Sequence, residues 1–131
     1  MWTFVGRRRH KAWLWSAVER ASRRGVARGL GRRGVATARR LWAALPRRYR
    51  RHCWYFTDSF PAYAQALPTR PHRPSPKGEG QTSIVEAVNY ALRQRCGVFV
   101  RSCCSFSKSR PMHPARIKIC VDQHNQKTIL N

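Results

Sequence analysis

Negative charge is what this chain most lacks. Five of its 131 residues are acidic, Glu19, Asp58, Glu79, Glu86 and Asp122, against 27 Lys and Arg, for a formal charge of +22. A chain so charged repels itself unless a polyanion neutralises it, which makes nucleic acid the favoured partner class. Of the basic residues 22 are Arg, whose planar fork suits bidentate phosphate contacts better than the point charge of Lys. The competing account is nucleotide bias, since Arg, Ala and Gly enrichment also follows from a GC-rich gene.

Long apolar runs are absent as well. No stretch approaches the ~18 residues of a membrane span, so no membrane partner is expected. Residues 1–5 and 12–18 are apolar but divided by Arg7-Arg-Arg-His-Lys11, and neither is long enough for a secretory signal core. The Arg-rich, acid-poor start has the character of a transit peptide, against which its strand-like patterning argues. The five cysteines, Cys53, Cys96, Cys103, Cys104 and Cys120, are odd in number and show no paired CxxC spacing. A disulfide framework and a zinc site are therefore both disfavoured, and the chain reads as cytoplasmic with reduced thiols. Buried thiols on a helical stripe account for Cys96 and Cys103.

What remains is enough for one domain over residues 1–131. The apolar fraction is 42%, with five Trp, five Phe and four Tyr to fill a core. Residues 2–5 form a short apolar run. Residues 11–18 are apolar on both alternating faces, Trp13, Trp15 and Ala17 on one and Ala12, Leu14 and Val18 on the other, as in a strand covered on both sides. Residues 25–30 make a weaker strand diluted by glycine, and the three together suit an antiparallel meander. Residues 35–45 switch to helical spacing, with Val35, Ala38, Leu41, Trp42 and Leu45 as one stripe and Pro46 as the stop. Residues 52–57 read as a buried strand ending at Asp58, and residues 61–67 as a short helix. Residues 69–80 are a Pro/Gly-rich loop or at best an edge strand. The longest helix begins near Ser83, with Val85, Val88, Leu92, Cys96, Phe99 and Cys103 as its stripe, and residues 112–124 form a final helix. The pattern predicts an α/β fold, a mixed sheet flanked by helices.

Two of the scarce acids sit in the most distinctive sequence, Trp54-Tyr-Phe-Thr-Asp58 and Gly80-Gln-Thr-Ser-Ile-Val-Glu86. A carboxylate at the C-terminal end of a strand is held by the sheet and leaves room for substrate beyond it. Asp58 fits that position, and equally fits an N-cap for the helix that follows. Glu86 completes the capping box Ser83-Ile-Val-Glu86. It also lies on the flank of its helix with Asn89, Tyr90 and Arg93, where it could face the end of the Asp58 strand. Two carboxylates with phosphate and water suit magnesium or manganese, and two such ions support phosphodiester chemistry. That chemistry normally needs a third acid. Glu19 suits a turn pair with Arg20 or Arg23, Glu79 sits in the Pro/Gly segment, and Asp122 is the only later candidate. Arg7-Arg8-Arg9 and four further Arg pairs or clusters are candidate phosphate contacts.

These residues resemble the C-terminal catalytic part of the insertion sequence one family of bacterial transposases. The matching blocks run in order from Trp2-Thr-Phe-Val-Gly6 through Lys11-Ala-Trp-Leu-Trp15, Thr37-Ala-Arg-Arg-Leu-Trp42, Tyr55-Phe-Thr-Asp58 and Gly80-Gln-Thr-Ser83. Leu92-Arg-Gln-Arg95 and Ser105-Phe-Ser-Lys-Ser109 are the most specific, followed by Met112-His113 and Ala115-Arg-Ile117. The resemblance implies a ribonuclease-H-like core with a DDE acid triad binding two Mg2+ (or Mn2+) ions. Its second acid falls on Asp58 and its third on Glu86. The family's first acid belongs to an Asp-Glu-x-Trp motif in which Met1 occupies x, so it is expected two residues before Met1, with the first strand truncated. The amino-terminal zinc-binding and helix-turn-helix regions of the family are not matched. Arg7, Arg8, Arg9, Arg93, Arg95 and Lys108 are the expected DNA contacts. Asn89-Tyr90 stands where the family commonly has two Asn, prolines crowd the expected fifth strand, and Cys103-Cys104 replaces a polar pair, departures that suit a decayed or truncated copy. The resemblance implies DNA transposition, with DNA and further transposase subunits as partners and metal weak or absent in this chain, which is expected to be inactive alone. Two alternatives stand beside it: a small Arg-rich nucleic-acid-binding protein without an active site, and a gene remnant that does not fold.

Overall fold

The computed structural model describes residues 1–76, 79–100 and 105–129. Strands β1 (Trp2–Val5), β2 (Arg7–Val18) and β3 (Gly25–Gly31) form the antiparallel meander, in the order β1-β2-β3. Gly6 turns the chain between β1 and β2 at φ +70°, a region that only glycine enters freely. The glycines of β3 have a steric purpose. Helix α1 (Val35–Ala44) crosses directly over Gly29 and Gly31, and a Cβ on Gly29 would lie 3.3 Å from the Thr37 carbonyl oxygen and 3.4 Å from the Leu41 nitrogen.

Both faces of β2 are covered, as its double apolar alternation requires. Leu14 joins Val88, Leu92, Cys96, Val98, Phe99, Ile117 and Val121 in one core, with Val18 packed against it. Trp15 joins Ala38, Leu41 and Ala62 in a second core on the opposite face, flanked by Trp13 and Ala17. The first core is closed by α4 (Ser83–Arg95), a 3-10 turn over Gly97–Phe99 and α5 (Met112–Lys127). The second is closed by α1 and α3 (Pro61–Ala66), the latter opened by a proline at its first position. The result is a three-layer mixed α/β arrangement.

Several details depart from the sequence reading. The strands do not form one mixed sheet: β4 (Tyr55–Asp58) pairs in parallel with β5 (His72–Ser75) and with no strand of the meander. The outer edge of β1 is instead held by later chain, through a Val5–Ser107 bridge and a 2.6 Å hydrogen bond from the Thr3 hydroxyl to the Val98 carbonyl. Among the described residues the meander and the β4–β5 pair are two separate sheets. Within residues 69–80 the edge-strand reading holds for β5, where a strand with a neighbour on one side only tolerates Pro74. The strand expected over 52–57 starts only at Tyr55, since His52 ends an additional short helix, α2 (Arg47–His52), that the run of Arg had hidden. It is not buried throughout: Thr57 is buried, but Phe56 is exposed.

Helix α4 also ends sooner than its stripe implies. It stops at Arg95, and a Cβ on Gly97 would sit 2.6 Å from the Ser105 Cβ, so the chain leaves the helix where only glycine fits. Phe99 is buried from the 3-10 turn rather than from α4, and α5 becomes the longer helix. Cys103 and Cys104 lie outside the described residues.

Candidate catalytic and nucleic-acid-binding site

Asp58 is the last residue of β4, exposed, opposite Ser75 of β5. Its Oδ1 accepts the Phe60 N–H at 3.3 Å, which shapes the turn into α3. The N-cap of α3 is Phe60, with no side-chain cap, so Asp58 is not the cap that its sequence position also allowed. Nearby, the Tyr63 phenol is pushed up to about 12, first by burial and then by the negative charge of Asp58, with Arg33 opposing. Asp58, Tyr63 and Arg33 therefore share one electrostatic neighbourhood.

Glu86 is exposed in the first turn of α4, where a carboxylate complements the partial positive charge of the helix start. The Ser83–Glu86 capping box does not form. Thr82 is the N-cap, without a side-chain cap, the Ser83 N–H donates to the Gly80 carbonyl at 3.1 Å, and the Thr82 hydroxyl donates to Glu86 Oε1 at 3.3 Å. The helix begins one residue early because residues 80–82 already curl into a turn, with Gly80 at φ +73°. On the same flank of α4, Asn89 Oδ1 and Arg93 Nε are buried without a hydrogen-bond partner.

Between β2, β4 and the helices lies a cavity of about 550 Å3, lined by Asp58, Tyr63, Arg33, Arg20, Asn89 and Thr82 among others. Asp58 and Asn89 thus open onto one space. Glu86, one turn from Asn89 on α4, is outside the lining, so the two carboxylates are not gathered into a closed site. Among the described residues no group of three His, Cys, Asp or Glu is positioned to hold a metal ion. The donor types still suit a hard divalent ion: two carboxylates and an orphaned amide oxygen.

The other acids are engaged elsewhere. Glu19 accepts hydrogen bonds from the Ser22 hydroxyl and, at 2.8 Å, from the Tyr49 hydroxyl, and these hold its carboxyl below the ordinary range. It ties the β2–β3 turn to α2 rather than pairing with the Arg20 or Arg23 side chain. Glu79 accepts the Ser75 hydroxyl at 2.8 Å, and Asp122 pairs with Lys118 at 2.6 Å on the exposed side of α5.

Of the expected DNA contacts, Arg7, Arg8, Arg9, Arg95 and Lys108 are exposed and Arg93 is half-buried. The β1–β2 register moves from Phe4 opposite Lys11 to Val5 opposite Arg7, so Arg8, Arg9 and His10 bulge outward. The Gly6 N–H donates to the Ser107 carbonyl at 2.8 Å, which brings Lys108 beside Arg7 at this tip. Arg93 and Arg95 lie in the last turn of α4, where cations are favourable. Sequence reasoning left Arg20 out of its phosphate contacts and had Arg33 only as half of the Arg32-Arg33 pair. Arg20 donates to Gln81 Oε1 at 2.8 Å and lies over the Phe56 ring at 4.8 Å. Arg33 lies over Phe60 at 4.5 Å and Trp13 at 5.1 Å. Arg20, between Glu19 and Ala21, stands apart from the conspicuous Arg runs, which concealed it.

No helix among the described residues is long and apolar enough to cross a membrane. No solved structure matches the chain significantly. Residues 1–127 match the family described as IS1 transposase. The insertion element IS1 protein InsB of Shigella flexneri is 34% identical over 112 residues, covering 86% of this chain and 82% of that protein. The insertion element IS1 4 protein InsB of Escherichia coli K12 is 33% identical over the same share of this chain but only 64% of its own length, so the chain spans less than two thirds of that relative. Extending over nearly every residue from Met1 to Lys127, the family match settles the lineage: the chain belongs to the IS1 transposases.

Proposed function

We propose that this chain serves DNA transposition as a catalytic portion of a transposase, contacting the DNA backbone through its basic surface and contributing Asp58 and Glu86 to a metal-dependent phosphodiester-cleaving and strand-joining site. The observation that carries the reading is the allocation of five acids. Glu19, Glu79 and Asp122 are held by side-chain partners at 2.6–2.8 Å, whereas Asp58 and Glu86 are exposed and accept only 3.3 Å hydrogen bonds from neighbours in sequence, with Asp58 and the unpartnered Asn89 oxygen lining one cavity.

Family membership implies metal dependence in general, and magnesium or manganese is the ion proposed for this donor set. When bound, such an ion activates a nucleophile and stabilises the leaving oxygen of a phosphodiester. Asp58 and Glu86 would hold it, with Asn89 Oδ1 as a neutral oxygen nearby. Arg20 and Arg33 would receive phosphate oxygens at the cavity. None of the other three acids is free to complete a triad, so Asp58 and Glu86 are proposed as two members of it and the chain alone as inactive.

Calorimetric titration of magnesium or manganese tests this. An Asp-Glu-bearing extension before Met1 should strengthen binding, and Asp58→Ala or Glu86→Ala should abolish the gain. Positional errors of about 1 Å already cost about 10²-fold in such chemistry, so strand transfer without the extension should be undetectable. Equal metal binding with and without the extension would overturn the assignment of both carboxylates.

A further inference from the structure

Phe56 and Asp58 share one face of β4, alternation carries that face back to Trp54 just before the strand, and it bears large aromatic rings where a core strand would bury them. Trp54 is 57% exposed and Phe56 40% exposed. Each ring carries a guanidinium: Arg73, cross-strand from Phe56, lies 4.2 Å from the Trp54 ring centre, and Arg20 lies 4.8 Å from that of Phe56. Neither Arg has a carboxylate partner among the ion pairs and hydrogen bonds of the described residues. Trp54, Phe56 and Asp58 border the same cavity, whose walls add Trp13, Trp15 and Phe60.

Exposed rings topped by Arg are what an unpaired nucleic-acid strand requires. Bases stack on the rings whatever their sequence, and the Arg groups meet the backbone. Alternate residues of a strand are spaced by roughly 6.6 Å, close to twice the ~3.4 Å step of a stacked DNA strand. A duplex has no free base faces to offer, and its backbone is better served by Arg7 and Lys108 at the distant β1–β2 tip.

We propose that the Trp54–Phe56 face of β4 is a stacking platform for the bases of an unpaired DNA strand, leading that strand to Asp58. The assignment rests on the reading of Asp58 as a catalytic acid for its direction, but the platform itself needs no metal.

The test is fluorescence anisotropy of the whole chain, without divalent ions and at one salt concentration, on three probes: oligothymidine, a duplex with an unpaired 3′ tail, and a blunt duplex. Trp54→Ala and Phe56→Ala should each weaken oligothymidine and tailed-duplex binding about tenfold while leaving the blunt duplex within about twofold. Trp54→Tyr keeps a ring and should keep the affinity. If Trp54→Ala does not melt cooperatively, Trp54→Leu, apolar but ringless, takes its place against Trp54→Tyr. Equal losses on all three probes, or none, would overturn the platform. The assay contains no divalent ion and the platform residues hold none, so loss of the metal site and loss of the platform register separately.

Discussion

His113 Nδ1 and Ser107 Oγ lie 2.7 Å apart, and both side chains are almost wholly shut away from solvent. The pair anchors the start of α5 to the segment that bridges β1 at Val5 and receives the Gly6 N–H. The other ring nitrogen, Nε2, is buried without a partner. Protonation would therefore place a charge in the interior with no partner at Nε2.

A pH dependence follows. Burial first, and the neighbouring Arg116 second, hold His113 below the ordinary imidazole range, and burial does the same for His72, whose ring contacts the Thr57 hydroxyl at 2.7 Å. The folded state thus binds fewer protons than the unfolded chain. The stability that depends on neutral rings is whole above about pH 6.5, the unfolded value, and is lost as pH falls from there through the folded values. Urea midpoints should be flat just above that pH and decline below it, and His113→Asn should flatten the decline.

Gly97→Ala should destabilise the fold by about 1–3 kcal/mol through overpacking, because its new Cβ would lie 2.6 Å from that of Ser105. Adding Ser105→Gly should restore most of the loss. Urea unfolding of the two variants measures it, and an unchanged midpoint in Gly97→Ala would remove this contact as the cause of the early helix end.

Leu92 is buried between α4 and the Leu14 face of the meander. Leu92→Ala should cost about 2–5 kcal/mol. Tyr90, two residues away and exposed, should tolerate the same truncation within about 0.5 kcal/mol. Thermal or chemical denaturation of both variants separates the buried and exposed sides of α4.

On DNA, Arg7→Ala and Lys108→Ala should weaken duplex binding with little regard to sequence. Each should lower the slope of log affinity against log salt by about 0.9 if it removes one phosphate contact. Mobility shifts across a salt series give the slopes. A change in sequence preference with no change in slope would contradict backbone contact.

Much of this was legible before any coordinates. The opposite placement of Leu14 and Trp15 in β2 followed from plain alternation, and α1 followed from the spacing of Val35, Ala38, Leu41 and Leu45. Asp58 at a strand end and Glu86 in a first helical turn were also readable. What periodicity could not supply was partnership between distant segments. That Ser107 rather than β4 meets the edge of β1, that Gly29 and Gly31 make way for α1, and that Gly97 yields to Ser105 are facts of close approach, invisible along the chain. The Trp54–Arg73 and Phe56–Arg20 stacks were missed because an apolar run reads as core whichever way its rings point.

The carboxylate shortage has one more consequence. With five acids against 27 bases, the chain carries a net excess of 22 positive charges, and folding draws them together. Added salt screens that repulsion and should raise the stability of the free chain, while the same salt strips it from DNA. A ligand that binds only the folded state stabilises it by mass action, so DNA should act as a folding cofactor, and the melting temperature at low salt should climb when duplex is added.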